Sequence, residues 1–294
     1  MPSLPDPELG IRLESLLDAV DVAERVANDP VRFVKPFEGV DAEIAGAFAA
    51  GLAFGRVSLF APVVAGVLEQ AKRHGGPRAW LSELTERPAN LSGLCYRWIR
   101  EPDLALFAET LAQVLVRYPD LETLFLEGYV PSKRVRKGLC HMVGVMQRLA
   151  RETPSARALG LSRSGAFSRG FQYFLTSPDG GSPCKRWNLF LRWMVRLPDD
   201  GVDLGIWHRV SSRDLIIPLD THVFRVSRFL GLTRRAAPSW KAAREVTDAL
   251  RHFHPTDPVR YDFALAHLGI SQGCRGERVS SICGTCPLDP VCQA

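Results

Sequence analysis

The residues best suited to chemistry are Lys185, Asp220 and the cysteines Cys274, Cys283, Cys286 and Cys292. The cysteines follow the pattern C-x8-C-x2-C-x5-C, and four thiols at such short spacing can wrap one metal centre. Zinc takes four thiolates tetrahedrally, and a [4Fe–4S] cluster also takes four, so the spacing leaves both open. Disulfides are disfavoured in a reducing cytoplasm. The tail around them is rich in Gly, Ser and Pro and cannot build a core, so a metal would order it. Arg275 and Arg278 lie inside the first gap, where they could meet phosphate oxygens.

Asp220 sits in Ile216-Ile217-Pro218-Leu219-Asp220-Thr221-His222-Val223-Phe224-Arg225-Val226. An apolar run and a proline precede an acid that can cap a helix through its free N–H groups. The positive helix end favours the ionised form. Val223, Val226 and Leu230 share one helical face, so packing can pin the helix. Read alone, Asp220 is a plain cap.

Lys185 follows Ser177-Pro178-Asp179-Gly180-Gly181-Ser182-Pro183, a stretch dense in helix breakers and therefore a loop. Gly180, Gly181 and Ser182 can offer backbone N–H groups to a phosphate. Trp187, Phe190, Leu191 and Met194 then form a buried stripe, and Lys185, Asn188, Arg192 and Arg196 share another face. Lys185 thus stands in the first turn of a helix. Positive charge from the helix end and Arg186 should lower its pKa, as an amine nucleophile requires. The plainer alternative is that Lys185 only touches phosphate or solvent.

The elements positioning these residues read as helices. Amphipathic or small-residue patterns predict helices over 11–26, 41–56, 58–73, 103–118 and 132–151. Asp29-Pro30 and Gly75-Gly76-Pro77 act as breaks. Lys133, Arg134, Arg136 and Lys137 gather at the start of the last of these, as a solvated face or a phosphate contact. Leu94-Cys95-Tyr96-Arg97-Trp98 could stack on nucleic acid, although packed core is the simpler reading. Strand signals are scarce, with no hairpin turns between apolar runs, so the expected class is all-α.

The 294 residues allow one or two domains, and the 46% hydrophobic content is that of a globular chain. A formal charge of +5, from 37 basic and 32 acidic residues, permits a polyanionic partner without demanding one. No apolar run reaches membrane-spanning length. The N-terminus lacks a basic region and a signal core, so a cytoplasmic location is expected.

The loop-Lys at a helix start, the Leu-Asp-Thr-His-Val-Phe-Arg-Val segment and the four-cysteine tail together resemble the helix-hairpin-helix DNA glycosylases of the endonuclease III type. The resemblance runs from about Gly180 onward and suggests a bacterial branch distinct from endonuclease III itself. Two of three cysteine gaps match that family, the first being x8 where the family has x6. Gly180-Gly181-Ser182-Pro183-Cys184 stands where the family has its Leu-Pro-Gly-Val-Gly hairpin, with Pro183 lacking a backbone donor, and residues 202–218 look inserted between Lys185 and Asp220.

The resemblance implies two helical lobes with a central cleft. One would be a barrel over 36–196, and the other would combine 1–35 with 197–294 and carry Asp220 and the cluster loop. It implies a monomeric base-excision enzyme on nucleoid DNA that flips a damaged base into the cleft, with a [4Fe–4S] cluster (alternatively zinc) on the four cysteines. Asp220 would be catalytic, staying ionised to stabilise positive charge on the sugar, and Lys185 would be the nucleophile of an abasic-site lyase. Gly180, Gly181, Ser182, Arg186, Arg275 and Arg278 would contact double-stranded DNA. Trp207 and His208 are candidates for the base pocket. The rival expectation is a metal-stabilised nucleic-acid-binding protein without chemistry.

Overall fold

The structure is a computed structural model that describes residues 6–161, 165–270, 273–274 and 277–293. Among them it is all-α, with no strand and one isolated bridge between Tyr96 and Ile99. The helices are α1 Pro7–Asp18, α2 Val22–Asn28, α3 Gly39–Leu52, α4 Val57–Arg73, α5 Pro77–Glu83, α6 Glu101–Arg117, α7 Leu121–Tyr129 and α8 Val135–Leu149. They continue with α9 Pro154–Ala158, α10 Arg169–Phe174, α11 Lys185–Val195, α12 Thr221–Phe229, α13 Trp240–Leu250, α14 Asp262–Ile270 and α15 Ser280–Cys283. No helix of the described residues is long and apolar enough to cross a membrane.

The helix expected over 11–26 is two helices. Asp21 interrupts it because its carboxylate accepts the Glu24 N–H and starts α2 afresh. The small-residue segment does form a buried helix, α3, exposed only near its first turn. Its close partner is α11. A side chain at Gly46 would meet Met194 Cε at 2.9 Å and Phe190 at 3.2 Å, so the missing side chain sets the approach of the two helices.

The apolar stripe of α11 is buried as its spacing predicts: Phe190, Leu191 and Met194 are fully covered and Trp187 nearly so. Each such side chain contributes roughly 1.5–3 kcal/mol of burial. The buried core is continuous from Leu9 of α1 to Leu288 near the C-terminus. α1 packs against the turn Asp289–Val291, and Glu14 accepts hydrogen bonds from Tyr261 and Arg260.

Much of the stretch 202–218 is buried, with exposed residues only around 208–213 and at the 3-10 turn there. Leu204 and Trp207 donate backbone bonds to the Trp193 and Met194 carbonyls, tying it along the end of α11. Trp207 is core: its ring lies between Phe125 and Phe190, and its indole donates to the buried carboxylate of Glu43.

Candidate active site

Asp220 caps α12 as its sequence context demands. Oδ1 accepts the N–H groups of His222 and Val223 at 2.9 and 2.8 Å. The preceding apolar run is buried, and Ile217 N–H donates to Thr247 of α13, which fixes the entry to the cap. Val223, Phe224 and Val226 bury the helix against α13 and α14. One carboxylate oxygen is thus held by the helix end while the residue stays partly exposed.

Lys185 opens α11 directly after Cys184, a non-glycine residue in the left-handed region (φ 47°). Such a conformation persists only where surrounding structure imposes it. Here Cys184 is buried, its thiol lies against the Thr176 carbonyl, and its N–H donates to Ser182 Oγ at 3.1 Å. The Lys185 amine reaches across to α3 and donates to the Ala53 carbonyl at 3.0 Å. Burial pushes its pKa below the usual lysine value. The expected direction holds, but burial outweighs Arg186 as the cause. The strongest opposing influence is the negative charge of Asp220, followed by those of Asp29 and Asp262.

The polar face of α11 continues this arrangement into the interior. Arg192 donates to Asp203 at 3.1 Å and to Asp262 at 2.5 Å, and Arg196 pairs with Asp203 and with Asp257. Arg192, Asp203 and Asp262 are essentially sealed from solvent. Burial pushes the Asp262 carboxyl up to about 6 despite Arg192, and Asp220 adds to the rise. Among the described residues, Asn188 Oδ1, Arg192 Nη2 and Asp262 Oδ1 are buried without a hydrogen-bond partner. Unsatisfied buried polar atoms are costly, and their concentration along one seam calls for a reason other than stability.

Gly180 and Gly181 are exposed in the turn between α10 and α11, with Gly181 left-handed at φ 78°. Asp179 in this turn pairs with Arg136 at 2.8 Å, so the start of α8 stands beside it. Lys133, Arg134 and Lys137 are exposed there. Arg186 turns inward instead: its guanidinium lies 3.3 Å from the Tyr173 ring centroid, and it is only 8% exposed. Arg278 is exposed but paired with Asp289 at 2.8 Å. Arg275 lies outside the described residues.

Cys274, Cys283, Cys286 and Cys292 line one apolar cavity with Val226, Leu268 and Leu288. Val279 N–H donates to Cys283 Sγ at 3.4 Å, a contact of the kind that tunes metal-bound sulfur. Among the described residues, no three His, Cys, Asp or Glu side chains are drawn together as a ligating set. The donors share a cavity and are of the right chemistry for iron–sulfur or zinc, so the residues fit such a group in kind.

Sequence spacing did not reveal Asp203, or Asp262 and Asp29, which lie far in the chain from Lys185. The cation periodicity of α11 was the available signal, since a buried row of Lys and Arg requires acids opposite it. His208 is exposed, and with Trp207 in the core this pair does not line a pocket together.

No curated protein and no solved structure matches the chain. Residues 29–271 match the family described as "Protein of unknown function (DUF2400)", which takes in α3 to α14 and so both Lys185 and Asp220. Because this match covers well over half of the chain, the protein belongs to the DUF2400 family.

Proposed function

We propose that this protein is a DNA base-excision glycosylase of the helix-hairpin-helix kind, working between two helical lobes on double-stranded DNA as a cytoplasmic, nucleoid-associated monomer. The observation that carries the reading is that Lys185 opens α11 with its amine turned inward to the Ala53 carbonyl while Asp220 caps the start of α12. Of the charges acting on the half-buried amine, that of the Asp220 cap is the strongest. Two helix starts separated in sequence thus carry an amine and a carboxylate that act on each other electrostatically.

The chemistry follows from the two groups. An extruded damaged nucleotide places its sugar between them. As the glycosidic bond breaks, its electron pair leaves with the base, and the ionised Asp220 stabilises the positive charge on the sugar. The neutral Lys185 amine attacks C1′, which leads to a Schiff base and strand cleavage.

The exposed turn glycines and the cations at the start of α8 would meet phosphate. Cys274, Cys283, Cys286 and Cys292 would hold a [4Fe–4S] cluster or zinc, whose part is to order the tail. The bond between Lys185 and Ala53 favours a second form of this reading, in which the amine stays docked and Asp220 positions a water for base release alone.

The test is a panel of lesion-bearing duplexes, followed by borohydride trapping on abasic DNA. Base release with trapping supports the bifunctional form, and release without trapping supports the second. Duplex binding with neither activity would leave a non-catalytic binding protein.

A further inference from the structure

Beside Lys185 lies a surface that takes no part in the chemistry above. The Ala53 carbonyl that receives the Lys185 amine is followed by Phe54, whose ring is the centre of a four-ring cluster. Tyr96 and Tyr173 lie 4.7 Å from it, and Trp98 stacks at 5.1 Å. Phe54, Trp98 and Tyr173 remain partly exposed. The cluster draws on the end of α3, the Tyr96–Ile99 bridge and α10, so it is a product of the fold.

Guanidinium groups cover these rings. Arg97 lies over Phe54 and Tyr96, each 5.7 Å to the centroid, and Arg169 lies 5.0 Å over Trp98. Both arginines are exposed, and among the described residues neither forms an ion pair. Arg97 itself is held in the left-handed region at φ 54°, and Gly55 leaves the space that its guanidinium and the Tyr96 hydroxyl occupy. Arg56 and Arg100 add exposed positive charge at the edges. Four rings with unpaired planar cations match a ligand that carries both flat π faces and negative charge. An acidic peptide supplies only the charge, and a fully paired duplex hides its faces in the stack.

We propose that this aromatic–arginine surface binds unpaired nucleotides of a DNA strand, stacking bases on Phe54, Trp98 and Tyr173 while Arg97 and Arg169 take the phosphates. The choice of DNA rests on the glycosylase reading; the stacking itself does not require catalysis. The protein would then select sites where the duplex is already open, such as a gap, bulge or mismatch, and hold the opened strand next to Lys185.

The experiment uses the full-length protein and three fluorescein-labelled probes: a dT12 single strand, a duplex with a three-nucleotide gap, and the same duplex fully paired. Anisotropy should show the gapped duplex bound on the order of tenfold more tightly than the paired one, since each base–aromatic stack is worth roughly that much. The double variant Arg97→Gln/Arg169→Gln, on an exposed surface, should lose this preference while keeping its affinity for paired duplex within a factor of about three. A gapped probe carrying 5-iododeoxyuridine should photocrosslink to Phe54, Trp98 or Tyr173, mapped by mass spectrometry. Equal binding of gapped and paired probes, an unchanged preference in the double variant, crosslinks elsewhere, or equal displacement by polyglutamate would each overturn the proposal. Gap preference with crosslinks at these rings but no base release would overturn the glycosylase reading and leave this one standing.

Discussion

Arg192 Nη1 donates to Asp262 Oδ2 at 2.5 Å, two helical turns along α11 from Lys185, and both side chains are sealed from solvent. The bond joins α11 to α14 and sets a carboxylate with a raised pKa behind the candidate amine. Arg192→Met should destabilise the protein by about 3–5 kcal/mol, because Asp262 would be left as a buried charge without its cation and Asp203 with Arg196 alone. Urea unfolding measures this; a loss below about 1 kcal/mol would mean that the seam relaxes freely.

Asp220 and Lys185 should separate by mutation. Asp220→Asn keeps the size and much of the capping, so helix content should survive while base release falls by about 100-fold or more. Lys185→Gln should abolish borohydride trapping and lower base release by less. Single-turnover assays on one lesion-bearing duplex read both. Full base release by Asp220→Asn would remove the residue on which the reading most depends.

Glu43 gives a pH signature unrelated to catalysis. Burial pushes its carboxyl up to about 7, against hydrogen bonds from Leu121, Trp207 and Glu122. The folded state therefore binds more protons than the unfolded chain between pH 4.5 and about 7, so this group's contribution to stability is lost as pH rises through that window. Glu43→Gln removes the titration. Its stability deficit relative to wild type should shrink by up to roughly 3 kcal/mol between pH 4.5 and 8, at about 1.4 kcal/mol per pH unit. Parallel stability curves for the two proteins would show that Glu43 stays ionised.

The cysteine tail is tested by metal content. Protein purified without oxygen should be brown and carry about four irons per chain. Cys286→Ser should lose the colour and loosen the turn on which α1 packs, seen as faster amide exchange in 7–18. One zinc per colourless chain would assign the site to zinc.

Duplex binding should weaken steeply with salt, because each phosphate neutralised contributes about −0.9 to the slope of log K against log salt. Replacing Lys133, Arg134 and Lys137 together by glutamine should reduce the slope by about two to three. An unchanged slope would place the phosphate contacts on another face.

Much of the local structure was legible in the chain itself. The Asp220 cap, the two-faced pattern of α11 and the burial of α3 follow from interactions within a few residues, which spacing records directly. Where a local signal was present but overlooked, as with Asp21 splitting the first helix, the missed physics was that of a cap.

The partners of those elements were decided only by the tertiary structure. Asp262 lies 70 residues from the arginine it binds. Ala53 receives the Lys185 amine from 132 residues away. Glu43 and Trp207 meet across 164. A cation at helical spacing states that an acid must face it, but which acid does so depends on how α11 packs between α3 and α14. That packing sums small contacts over the whole core, so it has no signature in the neighbourhood of any one residue.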